Sequence, residues 1–123
     1  MNKLVKTLQL FLLVGFAGCV SAAQTKLSVT EAKNHIGEKA TVCGEVASTH
    51  YAARSKGSPT FVNLDQPYPN QLFTVLIWGS DRPKFGNPDR AYMGKHVCAT
   101  GKIKDFRGVP EIVAYDPSQI AVR

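Results

Sequence analysis

Two stretches of the chain alternate apolar and polar positions with the period of a half-buried strand, and they do so as near copies. Ala40-Thr41-Val42-Cys43-Gly44-Glu45-Val46 and His96-Val97-Cys98-Ala99-Thr100-Gly101-Lys102-Ile103 each place a cysteine one residue after a valine, followed by a glycine and a branched apolar residue. Successive side chains of a strand point to opposite faces. Val42, Gly44 and Val46 therefore share one face, as do Val97, Ala99, Gly101 and Ile103, and the cysteines fall on the opposite face of each strand. Extended outward, the pattern predicts strands over Lys39–Ser48 and Lys95–Asp105. Three further runs rich in β-formers predict strands over Thr60–Leu64, Leu72–Trp78 and Val109–Ala114. Phe73 shares a face with Val75 and Ile77 and is expected in the core. Trp78 shares the face of Thr74 and Leu76, as a core rim or a ligand platform. Phe61 faces either way, because a single bulge would reverse it.

The connections are equally patterned. Ser28-Val29-Thr30-Glu31 has the form of a capping box, with Val29, Ala32 and Ile36 at helical spacing and Gly37 beyond. This predicts a short helix over Ser28–Ile36. Thr49–Ser58 reads as a polar loop, Asp65–Asn70 as a turn, Gly79–Met93 as a long irregular connection and Arg107-Gly108 as a tight turn. Pro59 and Pro110 suggest edge positions for their strands, since proline cannot donate to a ladder. Asp116-Pro117-Ser118 suits the cap of a final helical turn.

The first residues read as an export signal spanning 1–22. Lys3 and Lys6 precede an apolar run from Leu8 to Gly18, and Val20-Ser21-Ala22 offers small residues for cleavage. The run is too short for the ~20 residues that span a bilayer. Phe16-Ala17-Gly18-Cys19 is the alternative, a lipobox-like stretch in which Cys19 would be acylated and the protein held at a membrane as a lipoprotein. The remainder, 27–123, is expected to be a single domain, periplasmic or secreted. The whole chain carries 15 basic and 9 acidic residues, net +6; without Lys3 and Lys6 the count is 13 against 9, net +4. That mild excess permits contact with phosphate but by itself implies only solubility.

With Cys19 removed or lipidated, Cys43 and Cys98 remain, an even count that suits an oxidising compartment. If their strands lie side by side, the two sulfurs meet as a disulfide; otherwise both are free thiols. Two cysteines without a partner at ligand spacing make a poor zinc site, so no metal is expected.

Helix, three strands, a long connection and two strands is an order that fits a small barrel. The chain resembles an OB-fold domain over about Leu27 to Ile120, and more narrowly is similar to exported bacterial OB-fold domains of the nucleic-acid-binding, anticodon-binding-like type. The residues carrying the resemblance are Ala32, Ile36-Gly37, Val42-Cys43-Gly44-Glu45-Val46, Thr60-Phe61-Val62-Asn63-Leu64-Asp65, Phe73-Thr74-Val75-Leu76-Ile77, Gly94-Lys95, Val97, Gly101-Lys102-Ile103 and Gly108-Val109-Pro110-Glu111-Ile112. It implies an all-β fold: a five-stranded OB-fold barrel with a short N-terminal helix. It also implies a binding face on the second and third strands, bordered by the first inter-strand loop and the loop between the last two strands.

Those loops hold Tyr51, Arg54 and Lys56, then Phe106 and Arg107; Lys102 and Lys104 point outward beside them, and Trp78 ends a strand. Cations that follow phosphates and flat rings that stack on bases are what a single-strand binder requires. These eight residues are the candidate ligand-binding set, and single-stranded nucleic acid or an oligonucleotide is the expected partner. An envelope protein or glycan is the alternative, favoured by the modest charge. No catalytic residue or cofactor is expected. His35, His50 and His96 lack metal-ligand spacing, the serines sit in no nucleophile-elbow motif, and no glycine-rich phosphate loop is present. A nuclease is the least favoured reading.

Overall fold

The computed structural model describes residues 25–123; the expected signal segment and Cys19 lie outside them. Seven strands form the described chain: β1 Lys26–Ser28, β2 Lys39–Tyr51, β3 Thr60–Leu64, β4 Phe73–Ile77, β5 His96–Phe106, β6 Val109–Val113 and β7 Ile120–Val122. Five of them, β2, β3, β4, β6 and β5, each pair with two of the others and so form a ring. All the pairings within this ring are antiparallel except β4 with β6. The interior is filled by the alternating apolar positions, among them Val42, Leu64, Phe73, Val75, Ile77, Val97, Ile103 and Ile112, none of which is solvent-exposed.

The two cysteine-bearing strands lie side by side. Cys43 stands directly opposite Cys98 in the β2–β5 register, and the two are joined by a disulfide with their Cα atoms 4.0 Å apart.

Several expectations change at the edges. The N-terminal helix is a 3₁₀ turn over Val29–Asn34 rather than a helix reaching Ile36. Val29 and Ala32 are buried as expected, whereas Ile36 lies beyond the turn and is exposed. The capping interaction is present: the Glu31 carboxylate accepts from the Ser28 backbone N–H at 2.8 Å and from its hydroxyl at 2.9 Å. β2 continues through Thr49, His50 and Tyr51, because β3 supplies ladder partners as far as Tyr51↔Thr60. The short strands β1 and β7 were not legible, since each is three residues long and completes a sheet edge against β2 or β5. The long connection holds two single-turn helices, α1 Arg82–Phe85 and α2 Pro88–Ala91, each with proline in its first turn.

Neither proline marks a sheet edge. β6 runs between β4 and β5, and β3 between β2 and β4. Pro110 is tolerated because it pairs only with β5, opposite Asp105; the β4 ladder starts one residue later, at Thr74↔Glu111. No β4 partner is left wanting the missing N–H. Pro59 stands just outside β3, where its carbonyl accepts from Ala52 N–H at 2.8 Å.

Candidate functional site

A bulge between Val46 and Ser48 shifts the pairing of β2 with β3. Up to the bulge the outward positions of β2 are Cys43 and Glu45; beyond it they are Ser48 and His50, opposite Asn63 and Phe61. On β4, Thr74 stands opposite Asn63 and beside Glu111 of β6. These side chains form the floor of an open groove of about 1440 Å³. Its rim comes from three connections: Lys56 and Gly57 in the β2–β3 loop, Tyr68, Pro69 and Gln71 in the β3–β4 loop, and Phe106 and Arg107 at the β5–β6 hairpin. Trp78, immediately after β4, completes it.

The rim is held by the backbone. Arg107 and Gly108 both have positive φ, 51° and 89°, the geometry of a two-residue type I′ hairpin, so Phe106 and Arg107 project from a tight, twisted turn. The Arg107 guanidinium lies 5.1 Å from the Phe106 ring centroid. Gly57, at φ +78°, lies flat against the indole: a Cβ there would stand 2.8 Å from two Trp78 ring carbons. Gly79 N–H donates to the Gly57 carbonyl at 2.8 Å and ties the loop to the end of β4. Trp78 is thereby fixed as a wall and remains 39% exposed.

Aromatic rings dominate the lining: His50, Phe61, Tyr68, Trp78 and Phe106. His50 and Phe61 are parallel to within 7°, with centroids 6.5 Å apart. The polar floor is a chain of hydrogen bonds. The Thr74 hydroxyl donates to Asn63 Oδ1 at 3.2 Å, the Asn63 amide donates to Ser48 Oγ at 3.1 Å, and Tyr68 N–H donates to the same oxygen at 3.0 Å. The Ser48 proton is left for something in the groove. Gln71 Oε1 is buried and has no partner among the described residues. Glu111 is 9% exposed. Burial pushes its carboxyl above the ordinary glutamate value, while the charge of Lys104, opposite it on β5, acts to hold it down.

A second polar cluster lies on the other side of β2. The Arg82 guanidinium carbon sits 3.5 Å from the Tyr51 ring centroid. Its Nη1 donates to Thr60 Oγ1 at 2.7 Å and its Nη2 to Asp89 Oδ1 at 2.9 Å. Burial acts to raise the Asp89 carboxyl more than any one neighbour lowers it, but the Arg82 hydrogen bond, a backbone hydrogen bond and the charges of Arg82 and Arg90 together outweigh it, and the carboxyl lies below its ordinary value.

The structure thus brings Lys56, Trp78, Phe106 and Arg107 together on one groove. Lys104 flanks it through Glu111. Tyr51 stands apart, on the Arg82 side; Arg54 is exposed in the β2–β3 loop outside the lining, and Lys102 is paired across the sheet with Lys39. Sequence reasoning missed His50, Phe61, Asn63, Tyr68, Gln71, Thr74 and Glu111 as lining residues. The available signal was Glu111, a carboxylate inside the otherwise apolar run Val109–Val113. Among the described residues no group of three or more His, Cys, Asp or Glu side chains is arranged to hold a metal ion.

Solved structures share this architecture. OBody AM1L10 bound to hen egg-white lysozyme superimposes with a TM-score of 0.56 at 19% identity, over 85% of this chain and 97% of that one. OBody AM2EP06 bound to hen egg-white lysozyme gives 0.55 at 17%, over 85% and 96%. The barrel is an OB-fold. A putative aspartyl-tRNA synthetase from Leishmania major Friedlin matches with a TM-score of 0.53 at 12% identity. That match covers 93% of this OB-fold chain, which spans 26% of the synthetase. No protein-family model and no curated protein matches the sequence. At these identities the likeness is one of fold.

Proposed function

We propose that this OB-fold domain is a non-catalytic module that binds single-stranded nucleic acid or short oligonucleotides in the aromatic groove. The observation that carries the reading is five aromatic rings lining one open face, with Lys56 and Arg107 among them. Stacking on bases contributes about 1–3 kcal/mol per ring and tolerates any base. Lys56, Arg107 and Lys104 would meet the phosphates, with Arg54 and Lys102 farther along the surface. A fold shared with part of an aspartyl-tRNA synthetase, a protein named for a nucleic-acid substrate, supports the same reading. The Cys43–Cys98 disulfide supports export to an oxidising compartment, with the signal at 1–22 removed or Cys19 lipidated.

The test is fluorescence anisotropy of a labelled single-stranded oligothymidylate against the domain, at several salt concentrations. Three phosphate contacts at about −0.7 each give an expected slope of log K against log salt of about −2. Absent or salt-independent binding overturns the proposal. An envelope protein or glycan is the second reading. It is favoured by the placement of the Glu111 carboxylate in the groove floor and by the OBody relatives bound to lysozyme. Co-purification from envelope extracts that survives nuclease treatment is its expected signature.

A further inference from the structure

We propose that the groove floor reads guanine, with the Glu111 carboxylate accepting from the two adjacent donors on that base's Watson–Crick edge. The inference rests on the single-strand reading above and names the base that reading leaves open.

The floor offers acceptors where a base edge would arrive. The Glu111 carboxylate faces the groove, and no hydrogen bond from the described residues contributes to its charge state; only burial and Lys104 do. Gln71 Oε1 is a second acceptor, buried and without a partner among the described residues. Two of the nearby donors turn inward: the Thr74 proton goes to Asn63, and one proton of the Asn63 amide goes to Ser48, which leaves the Ser48 hydroxyl proton facing the groove. A base edge that engages both oxygens of the Glu111 carboxylate must present two adjacent donors. Guanine alone presents two adjacent donors, the ring N1–H and the exocyclic N2 amine, in the parallel spacing of two carboxylate oxygens. Adenine and cytosine each place one amine beside a bare ring nitrogen acceptor. Thymine and uracil flank one N–H with two carbonyl oxygens, which a carboxylate repels. The rings around the floor supply the sequence-tolerant stacking, and Glu111 supplies the discrimination. A good bidentate base contact corresponds to about 5- to 150-fold in affinity.

The experiment compares labelled oligothymidylates carrying one central deoxyguanosine, deoxyinosine or deoxyadenosine, against the full domain and its Glu111→Gln variant. In the wild type the deoxyguanosine probe is expected to bind at least about fivefold tighter than the deoxyadenosine probe, with deoxyinosine, which lacks the N2 amine, in between. In Glu111→Gln the guanine-to-adenine ratio is expected to collapse toward one. The deoxyinosine comparison is a change in the ligand, so it decides the question even if the variant does not fold. Equal binding of all three probes by the wild type overturns the guanine assignment while leaving the single-strand reading in place. A guanine preference that survives in folded Glu111→Gln overturns the role of Glu111. Failure of the wild type to bind any probe overturns both readings.

Discussion

Trp78 is the chain's single tryptophan, so the groove carries its own fluorophore. The indole packs against Gly57 and keeps 39% of its surface exposed. If a base stacks there, saturating a short oligothymidylate should change the intrinsic fluorescence of the wild-type domain, because a nucleobase replaces water against the ring. Truncation to alanine removes the platform and should weaken anisotropy-measured binding by about 5- to 150-fold, the equivalent of one lost stack of about 1–3 kcal/mol. The same change also removes buried apolar surface. An aromatic side chain buries ~150–250 Å² when fully covered, so a partly covered indole corresponds to roughly 2–4 kcal/mol of stability at about 25 cal/mol per Å², an upper estimate. Trp78→Ala must therefore be shown folded by circular dichroism at the assay temperature. Trp78→Phe is the companion variant: it retains a stacking face and should recover most of the lost affinity while abolishing the fluorescence signal. Unchanged affinity in a folded Trp78→Ala domain, together with unchanged wild-type fluorescence at saturation, would refute the assignment of this ring to the ligand.

Arg82→Ala should act on stability and not on binding. It strips two charge-assisted hydrogen bonds and a cation–π contact from a guanidinium that is 14% exposed. A loss of about 2–4 kcal/mol corresponds to a fall in Tm of roughly 10–25 °C; reduced oligonucleotide affinity in the folded variant would contradict the separation of this cluster from the groove. Replacing Cys43 and Cys98 by serine releases a loop of sequence separation 55. The chain-entropy model assigns such a loop about 4 kcal/mol, so Tm should fall by some ~15–30 °C, and an unchanged Tm would show that the link does not constrain the unfolded chain. Glu111 gives a pH signature: its folded-state value lies above the ordinary 4.5, so the native state holds the proton more tightly than the unfolded chain. The stability this contributes is fully present below that ordinary value and is lost as pH rises through the folded-state value. Thermal unfolding should therefore show Glu111→Gln gaining on the wild type as pH rises from acid toward neutral, and parallel pH profiles would refute the burial of the carboxylate.

The barrel was legible because its strands announce themselves locally. Alternation over residues 40–46 and 96–103 fixed both the inward faces and the side on which the cysteines lie, and the register then placed Cys43 against Cys98. β1 and β7 were not legible because three residues carry no period; pairing partners supplied from elsewhere make them strands. The groove was half legible for a related reason. Trp78, Phe106 and Arg107 follow from turn chemistry, which is local. His50 and Phe61 depend on the bulge at Val46/Ser48, a one-residue slip that flips every later side chain and that neither flanking sequence marks. Tyr51 shows the cost: taken as a loop aromatic, it is a strand residue whose face is decided by that bulge, and it falls beside Arg82.

The charge layout of the groove constrains how a polyanion would enter it. Lys56 and Arg107 lie among the lining residues contributed by loops, whereas Glu111 lies on β6, in the floor. Two like charges about 6 Å apart repel by roughly 3 kcal/mol at an effective dielectric near 20. A phosphate carried down to Glu111 would lose about as much as a good base stack gains. The same phosphate at the rim meets Lys56 or Arg107 with no such opposition. Charge therefore sorts the two parts of a nucleotide: the backbone stays along the loops and the base turns toward the floor. A protein with cations in the floor would instead draw the phosphates inward and turn the bases outward. Lys104 sharpens the sorting, because it faces Glu111 across the β5–β6 ladder and acts to keep the carboxyl ionised against the burial that would neutralise it. Removing that lysine should weaken binding twice over, through a lost phosphate contact and through a carboxyl that protonates more readily. Lys104→Ala is accordingly expected to lose more affinity at mildly acid pH than Lys56→Ala. Equal losses for the two variants across pH would break the link between Lys104 and Glu111 on which this orientation depends.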